Sequence, residues 1–201
     1  MDFLIADATL ERNVCDLVVL HSPPWGQPRR AVPEPEELRR PPVQTRVTQL
    51  LDELGVPHQL QPHAVEAYSA EAVAHYRGVR ISQVVKCMVG TTGSEYVVML
   101  IPGDRRLKSS KARRHLGAEQ LALAPVEELT NALGLIVGAI APLHLLGSAR
   151  MLMDPSVLAE EFVDISSGDP LAGVKLRSTD LRDAVQAELV AMTSIEKPAL
   201  N

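Results

Sequence analysis

The chain has 201 residues, a formal net charge of −5 and a hydrophobic fraction of 46%, but only 3% aromatic residues. That supplies one domain-sized core, which must be built from Leu, Val, Ile and Ala. The shortage of rings argues against a stacking platform for single-stranded nucleic acid, and the acidic balance against a generic polyanion binder.

In chain order, residues 1–42 read as a proline-rich arm, partly disordered. Pro23, Pro24, Pro28, Pro33, Pro35, Pro41 and Pro42 are seven of the 15 prolines in the chain. Such density favours extended backbone and forbids a long helix or an inner strand. Within the arm, Val14–Leu20 suits one short strand, and Trp25 is a candidate for docking on the main body. The arm has no basic leader followed by a long apolar run, and no stretch approaches the roughly 20 apolar residues that span a bilayer. Cys15 and Cys87 lie far apart and fit no Cys/His metal spacing. These features set the expectation of a soluble, cytoplasmic protein without a disulfide framework, a metal or a cofactor.

From residue 43 to 201 the pattern alternates and reads as one domain. Val47, Leu50, Leu51 and Leu54 recur at helical spacing, and Gly55 follows as a stop. Val56–Gln61 reads as a strand. Ser69 caps the next helix and Gly78 closes it. Ile81–Val89 is an apolar strand interrupted by Lys86. The turn Thr91-Thr-Gly-Ser94 leads to a second strand, Tyr96–Ile101, so the two form a hairpin. Pro102-Gly-Asp104 breaks the chain. Lys108–Leu116 is a helix ended by Gly117, Leu121–Ala124 a brief strand, and Pro125 starts a helix through Leu133. Residues 134–146 read as a structured loop, and Met151–Met153, Phe162–Ile165 and Val174–Leu176 as strands. Ser178 caps a last helix to about Val190. Interleaved elements with hairpin-linked strands predict an α+β fold with a mixed sheet.

Three segments carry candidate chemistry. Lys86 shares a strand face with Val84 and Met88, a poor place for an ammonium unless a cleft or an anion meets it. The bland readings are an edge-strand lysine or one whose stem snorkels to solvent. Gly138-Ala-Ile-Ala-Pro142 is a tight loop in which a glycine permits close backbone approach and amides can meet an oxyanion. Ser166-Ser167-Gly168-Asp169 places small hydroxyls beside a glycine, as a pocket lining or an ordinary turn. The run from Arg105 to His115 includes Arg105, Arg106, Lys108, Lys111 and Arg114, a local basic patch in an acidic chain. A charge run of this kind is usually a solvated helix face, and a phosphate backbone is its rival reading. No Gly-x-Ser-x-Gly elbow and no paired-histidine metal motif is present.

The order and spacing of these segments resemble the YbaK/ProX family of aminoacyl-tRNA editing domains, related to the insertion domain of bacterial prolyl-tRNA synthetases. The likeness runs from about Val43 to Thr193. It is carried by Leu54-Gly-Val-Pro-His58, His63, the glycine-to-lysine spacing of Gly78-Val-Arg-Ile-Ser-Gln-Val-Val-Lys86, Ile101-Pro-Gly-Asp-Arg-Arg106, Gly138 to Pro142, Met153-Asp-Pro-Ser-Val-Leu158 and Ser166-Ser-Gly168. The resemblance implies a strongly curved, barrel-like mixed sheet with flanking helices. It also implies hydrolysis of the ester joining a wrong amino acid to the tRNA terminal adenosine. Lys86 would hold the 3′-end or the substrate carbonyl, and Gly138 would offer backbone contacts to the carbonyl or attacking water. Ser166 and Ser167 would lie near the amino acid, Pro142 would shape the loop, and His63 matches a histidine often seen before the first family helix. Implied partners are aminoacyl-tRNA and an aminoacyl-tRNA synthetase, not DNA or a membrane.

The chain departs from the family pattern where the pocket lies. Cys87 follows the lysine where Thr or Asn is frequent, Ala139 stands for a second glycine, Ala141 for Ser or Thr, and His144 for glycine. Cys87 is therefore a substrate-binding candidate that alters specificity, and alanine, cysteine and serine esters are all admissible. Two rival readings are a non-catalytic tRNA- or synthetase-binding module and a thiol hydrolase using Cys87, which would need an exposed, electropositive thiolate.

Overall fold

A computed structural model describes residues 44–195. The arm, with its expected strand and Trp25, lies outside the described residues. Thr45 caps helix α1 (Arg46–Glu53), accepting from the Thr48 amide while the Thr48 hydroxyl returns the contact. Helix α2 (Ala70–Arg77) starts at Ser69, whose Oγ accepts from Ala72 N, and stops at Gly78 in the left-handed region. Helix α3 (Ser109–Leu116) and helix α4 (Ser178–Ala184) complete the described α-helices.

The central sheet has five strands. Strands β2 (Val85–Thr91) and β3 (Tyr96–Pro102) form the expected antiparallel hairpin, with Lys86 opposite Ile101. The two-residue strand β5 (Ala122–Leu123) pairs antiparallel outside β2. On the other side β6 (Ala149–Met153) and β9 (Glu188–Leu189) add in parallel, giving the order β5-β2-β3-β6-β9. The sheet buries both faces, as period-two alternation requires. Val85, Val89, Val98, Leu100, Met151 and Met153 belong to one apolar cluster. Val97, Met99, Ile101 and Leu152 belong to a second, with Ala112 of α3 and Met192.

A second, antiparallel sheet, ordered β1-β8-β7, comprises β1 (His58–Pro62), β7 (Phe162–Ser166) and β8 (Ala172–Arg177). Its Val163, Ile165, Val174 and Leu176 complete the first cluster. The alternate positions Phe162, Asp164 and Ser166 occupy the other face, opposite Arg177, Lys175 and Gly173. One parallel bridge, Val84 to Asp164, joins the two sheets. The short pair β4 (Arg105–Leu107) with β10 (Thr193–Ile195) stands apart. The mixed α+β architecture is as expected from the alternating elements. The finer expectation of a barrel is not met by the pairings, because among the described residues no strand ladder closes into a ring.

Local departures have physical reasons. The helix expected from Pro125 to Leu133 forms over residues 126–132, and its stretch Glu128–Ala132 is wound wider, as a π-helix. The last helix ends at Ala184 rather than Val190, because Gln186 takes φ 51 and turns the chain into β9. Ser178 is its first helical residue, and the flanking Arg177 makes no side-chain cap.

Candidate active site and the relatives of this chain

A cleft of about 460 Å³ opens between α2, β2, the Gly138 loop and the end of β7. Lys86, Cys87, Gly138 and Ser166 all line it, so four of the residues singled out in the sequence meet in one place. His63, Pro142 and Ser167 do not line it. Apolar walls come from Val85, Val89, Leu129, Ile140 and Ile165.

Lys86 is half-buried, and its Nζ donates to the Arg105 carbonyl at 2.6 Å. A carbonyl and the cleft thus meet the lysine. Its charge is felt at Glu71, another lining residue, whose carboxyl lies below its ordinary range. The main causes there are the Glu71 amide at the start of α2 and the Ser69 hydroxyl, with a smaller pull from Lys86.

Gly138 has φ +89, and a Cβ there would stand 2.9 Å from Tyr68 Cδ1 and 3.1 Å from Tyr68 O. The glycine lets the loop press on the segment before α2. Ser166 fastens the same loop from the other side: its Oγ donates to Ala139 O at 2.7 Å and accepts from Gly168 N at 3.1 Å. Ser167 is buried and spends its hydroxyl on Ala172 O at 2.8 Å, holding the turn between β7 and β8. Pro142 is buried at the start of the 3₁₀ turn Pro142–Leu145. His144, in that turn, packs over Gly168, where a Cβ would come within 2.6 Å of its ring.

His63 is 9% exposed, with Nδ1 2.6 Å from Val65 O, and its ring stacks on Tyr76. Burial lowers the pKa of His63, the Val65 contact opposing it, and burial also lowers that of His144. The Cys87 thiol is pushed up to about 12 by burial, which is the opposite of the activated thiolate a thiol hydrolase needs. That counts against the rival reading.

Of the basic candidates, Arg105 is half-buried on β4, while Arg106, Lys108, Lys111 and Arg114 are exposed along β4 and α3. The Lys86–Arg105 contact ties this ridge to the rim of the cleft. Its other end is partly neutralised: His115 and Arg150 both bond Glu188, chiefly through Arg150 drawing that carboxyl down to about 2.

Sequence reasoning missed the most buried charges of the site. Arg77, the last residue of α2, donates from Nη1 to Asp164 Oδ1 at 3.2 Å, with side chains only 5% and 2% exposed. Both line the cleft. Burial pushes Asp164 up and Arg77 down, each opposed by its partner's charge. A signal existed, because Asp164 interrupts the apolar run Phe162–Ile165 as Lys86 interrupts its own. Tyr68, 51% exposed at the rim, was also missed. Among the described residues no cluster of His, Cys, Asp and Glu could hold a metal ion, and no helix is long and apolar enough to cross a membrane.

This geometry belongs to a defined class: residues 64–184 match the model of the aminoacyl-tRNA editing domain, and the chain is a member of that family. Among curated relatives it is 27% identical over 151 residues to the multifunctional Ser/Thr-tRNA deacylase ProXp-y of Escherichia coli K12, covering 72% of this chain and 89% of that one. It is also 32% identical over 95 residues to a proline–tRNA ligase of Thermosipho melanesiensis, 47% of this chain but only 17% of the ligase. The chain therefore spans a small part of the ligases it matches. A crystal structure described as a candidate trans-editing enzyme for prolyl tRNA synthetase shares the fold, with TM-score 0.64 and 23% identity over 74% of this chain and 95% of its own.

Proposed function

We propose that this chain hydrolyses mischarged aminoacyl-tRNA in trans, using residues 43–201 as the editing domain. The observation that carries the reading is the convergence of Lys86, Gly138 and Ser166 on one cleft in a chain of the editing family. The cleft has room for an aminoacyl ester and walls apolar enough to exclude bulk water. Lys86 stands at its rim beside the basic ridge of Arg105, Arg106, Lys108, Lys111 and Arg114, which suits a polyanion whose 3′-end enters the cleft.

An aminoacyl ester is already activated, so positioning and oxyanion stabilisation suffice. Water oxygen bonds to the carbonyl carbon, and charge collects on the carbonyl oxygen near Lys86 and the backbone at Gly138. The bond to the ribose oxygen then breaks, and the ribose takes the proton released by the water. Ser166 holds the Gly138 loop at its working distance, while Cys87 forms an apolar wall. His63, Pro142 and Ser167 act from behind the lining by packing. The curved, half-barrel arrangement of the two sheets around the cleft belongs to this reading, supported by the Val84–Asp164 bridge. So do a cytoplasmic location and docking on a synthetase.

The test is a panel of tRNAs mischarged in turn with small amino acids, with release of the free amino acid followed over time. Turnover of at least one ester, lost in Lys86→Ala, is the expected result. Tight tRNA binding with no turnover of any ester would replace the enzyme with a binding module.

A further inference from the structure

The cleft is apolar at two depths, and the mechanism above uses only the inner one. Val85, Val89 and Ile165 line it from the buried core. At the mouth stand Tyr68, Leu123, Val126 and Val137, which line the same cleft while between 41% and 55% exposed. Each leaves apolar surface in water, and four of them gathered at one opening mark a ligand contact rather than scattered surface residues.

Tyr68 is the one aromatic side chain among the described residues that line the cleft, and its ring is fixed. Its Cδ1 and Cβ press on Gly138, where an added Cβ would meet them at 2.9 and 3.0 Å. The hydroxyl donates to Glu66 Oε2 at 2.7 Å, and Ala67 N, one residue earlier, donates to Pro170 O at 2.9 Å. Ser69, one residue later, caps α2. The ring is thus held at its edge, its stem and its hydroxyl, yet half of the residue is open to solvent. A side chain preorganised in this way loses little freedom when a flat partner covers it.

An aminoacyl ester has two ends. With the carbonyl at Lys86 and Gly138, the acyl end meets the buried inner walls and the ester oxygen continues outward to the ribose. Only that ribose separates the ester from the terminal base. The base therefore falls at the mouth beside Gly138, which Tyr68 touches in space and Val137 precedes in the chain. Base–aromatic stacking needs one ring for one base. The scarcity of aromatics excludes a track for a long single strand, not a seat for its last nucleotide. The basic ridge that meets the cleft at Lys86 and Arg105 draws phosphates to the same opening.

We propose that the open face of Tyr68, together with Val137, Val126 and Leu123, is the stacking seat of the substrate's 3′-terminal adenine and so holds the ester at Gly138. This rests on the editing function proposed above.

The experiment uses full-length tRNA finished at its 3′ end with either adenosine or a base-free ribose, each acylated chemically with the small amino acids of the panel above. The natural chain should favour the adenosine-ended ester by about 10- to 100-fold in kcat/KM, chiefly through KM. Tyr68→Leu should slow that ester and bring the ratio to within about threefold of unity, while Tyr68→Phe, which keeps the ring, should hold the ratio within about threefold of the natural value. Tyr68→Gln carries the same expectation as leucine should the first variant not fold, with the melting temperature of each as a control. A merely structural role for Tyr68 would slow both esters alike and leave the ratio unchanged in a folded Tyr68→Leu, and that result would overturn the seat. Equal turnover of the two esters by the natural chain would also overturn it while leaving the editing function standing. Failure to hydrolyse any adenosine-ended ester would remove the editing function and the seat with it.

Discussion

Gly173→Ala perturbs one object, the Arg77 guanidinium. The residue carries no left-handed φ, so alanine suits its backbone, and the nearest obstacle is the side chain above it. A Cβ 1.8 Å from Nη1 cannot coexist with the present rotamer, so Arg77 must leave its place. Asp164, 2% exposed, then keeps its carboxylate without a partner. Removing one member of a buried pair costs about 3–5 kcal/mol. The lower chain entropy of alanine in the unfolded state returns about 0.4–1 kcal/mol. The net is a loss of roughly 2–4 kcal/mol, or a melting temperature lower by roughly 5–15 °C for a domain of this size. The loss should shrink on acidification. A stranded Asp164 has its folded pKa raised further, the folded state binds the extra proton, and stability is recovered as pH falls through that value. The measurement is a double-mutant cycle by thermal and urea unfolding, with Gly173→Ala in the natural chain and in Arg77→Met/Asp164→Leu. Methionine is flexible and uncharged, so Gly173→Ala should cost under about 1 kcal/mol in the second background. Equal costs in the two backgrounds, or no cost in the first, would refute the reasoning.

Four further outcomes follow from the site. Lys86→Ala should lower kcat/KM for a sensitive ester by about 100- to 1,000-fold, the scale for one lost donor at a developing oxyanion; single-turnover kinetics measures it, and a change under threefold would remove Lys86 from the reaction. Cys87, with its thiol at about 12, should resist iodoacetamide at pH 8 until the chain is unfolded in urea, read by mass on the Cys87 peptide, and Cys87→Ser should keep hydrolysis. Charge reversal at Arg106, Lys108 and Arg114 should raise KM with little change in kcat and flatten the dependence of KM on salt; an unchanged salt slope counts against this ridge as the tRNA contact. His63 and His144 are both held below the ordinary histidine value by burial. The unfolded chain then binds more protons than the folded one just below pH 6.5, so stability should fall as pH drops through that region, and His144→Gln should soften the fall seen in urea titrations.

What could be read from the sequence divides by the range of the interaction. Caps and stops are local, so Ser69, Gly55, Gly78 and Gly117 marked helix ends that the structure reproduces. The β2–β3 hairpin was equally plain, since a turn of Thr, Gly and Ser between two apolar runs fixes its own pairing. Lys86 stood out because one charge broke one such run. Asp164 broke another in the same way, yet no local feature named Arg77 as its partner, 87 positions earlier in the chain. Only the packing of α2 against β7 and β8 brings them together, and the one trace of it in the sequence is a glycine at 173 whose reason is a distant guanidinium. The serines show the converse. Ser166 and Ser167 look interchangeable as neighbours, but strand alternation sends one to the cleft and the other into the turn. The reading of this site therefore turns on Asp164, Ser166 and Gly173 sharing one face of the second sheet. Register placed them there, and register is a property of the assembled strands rather than of any one of them.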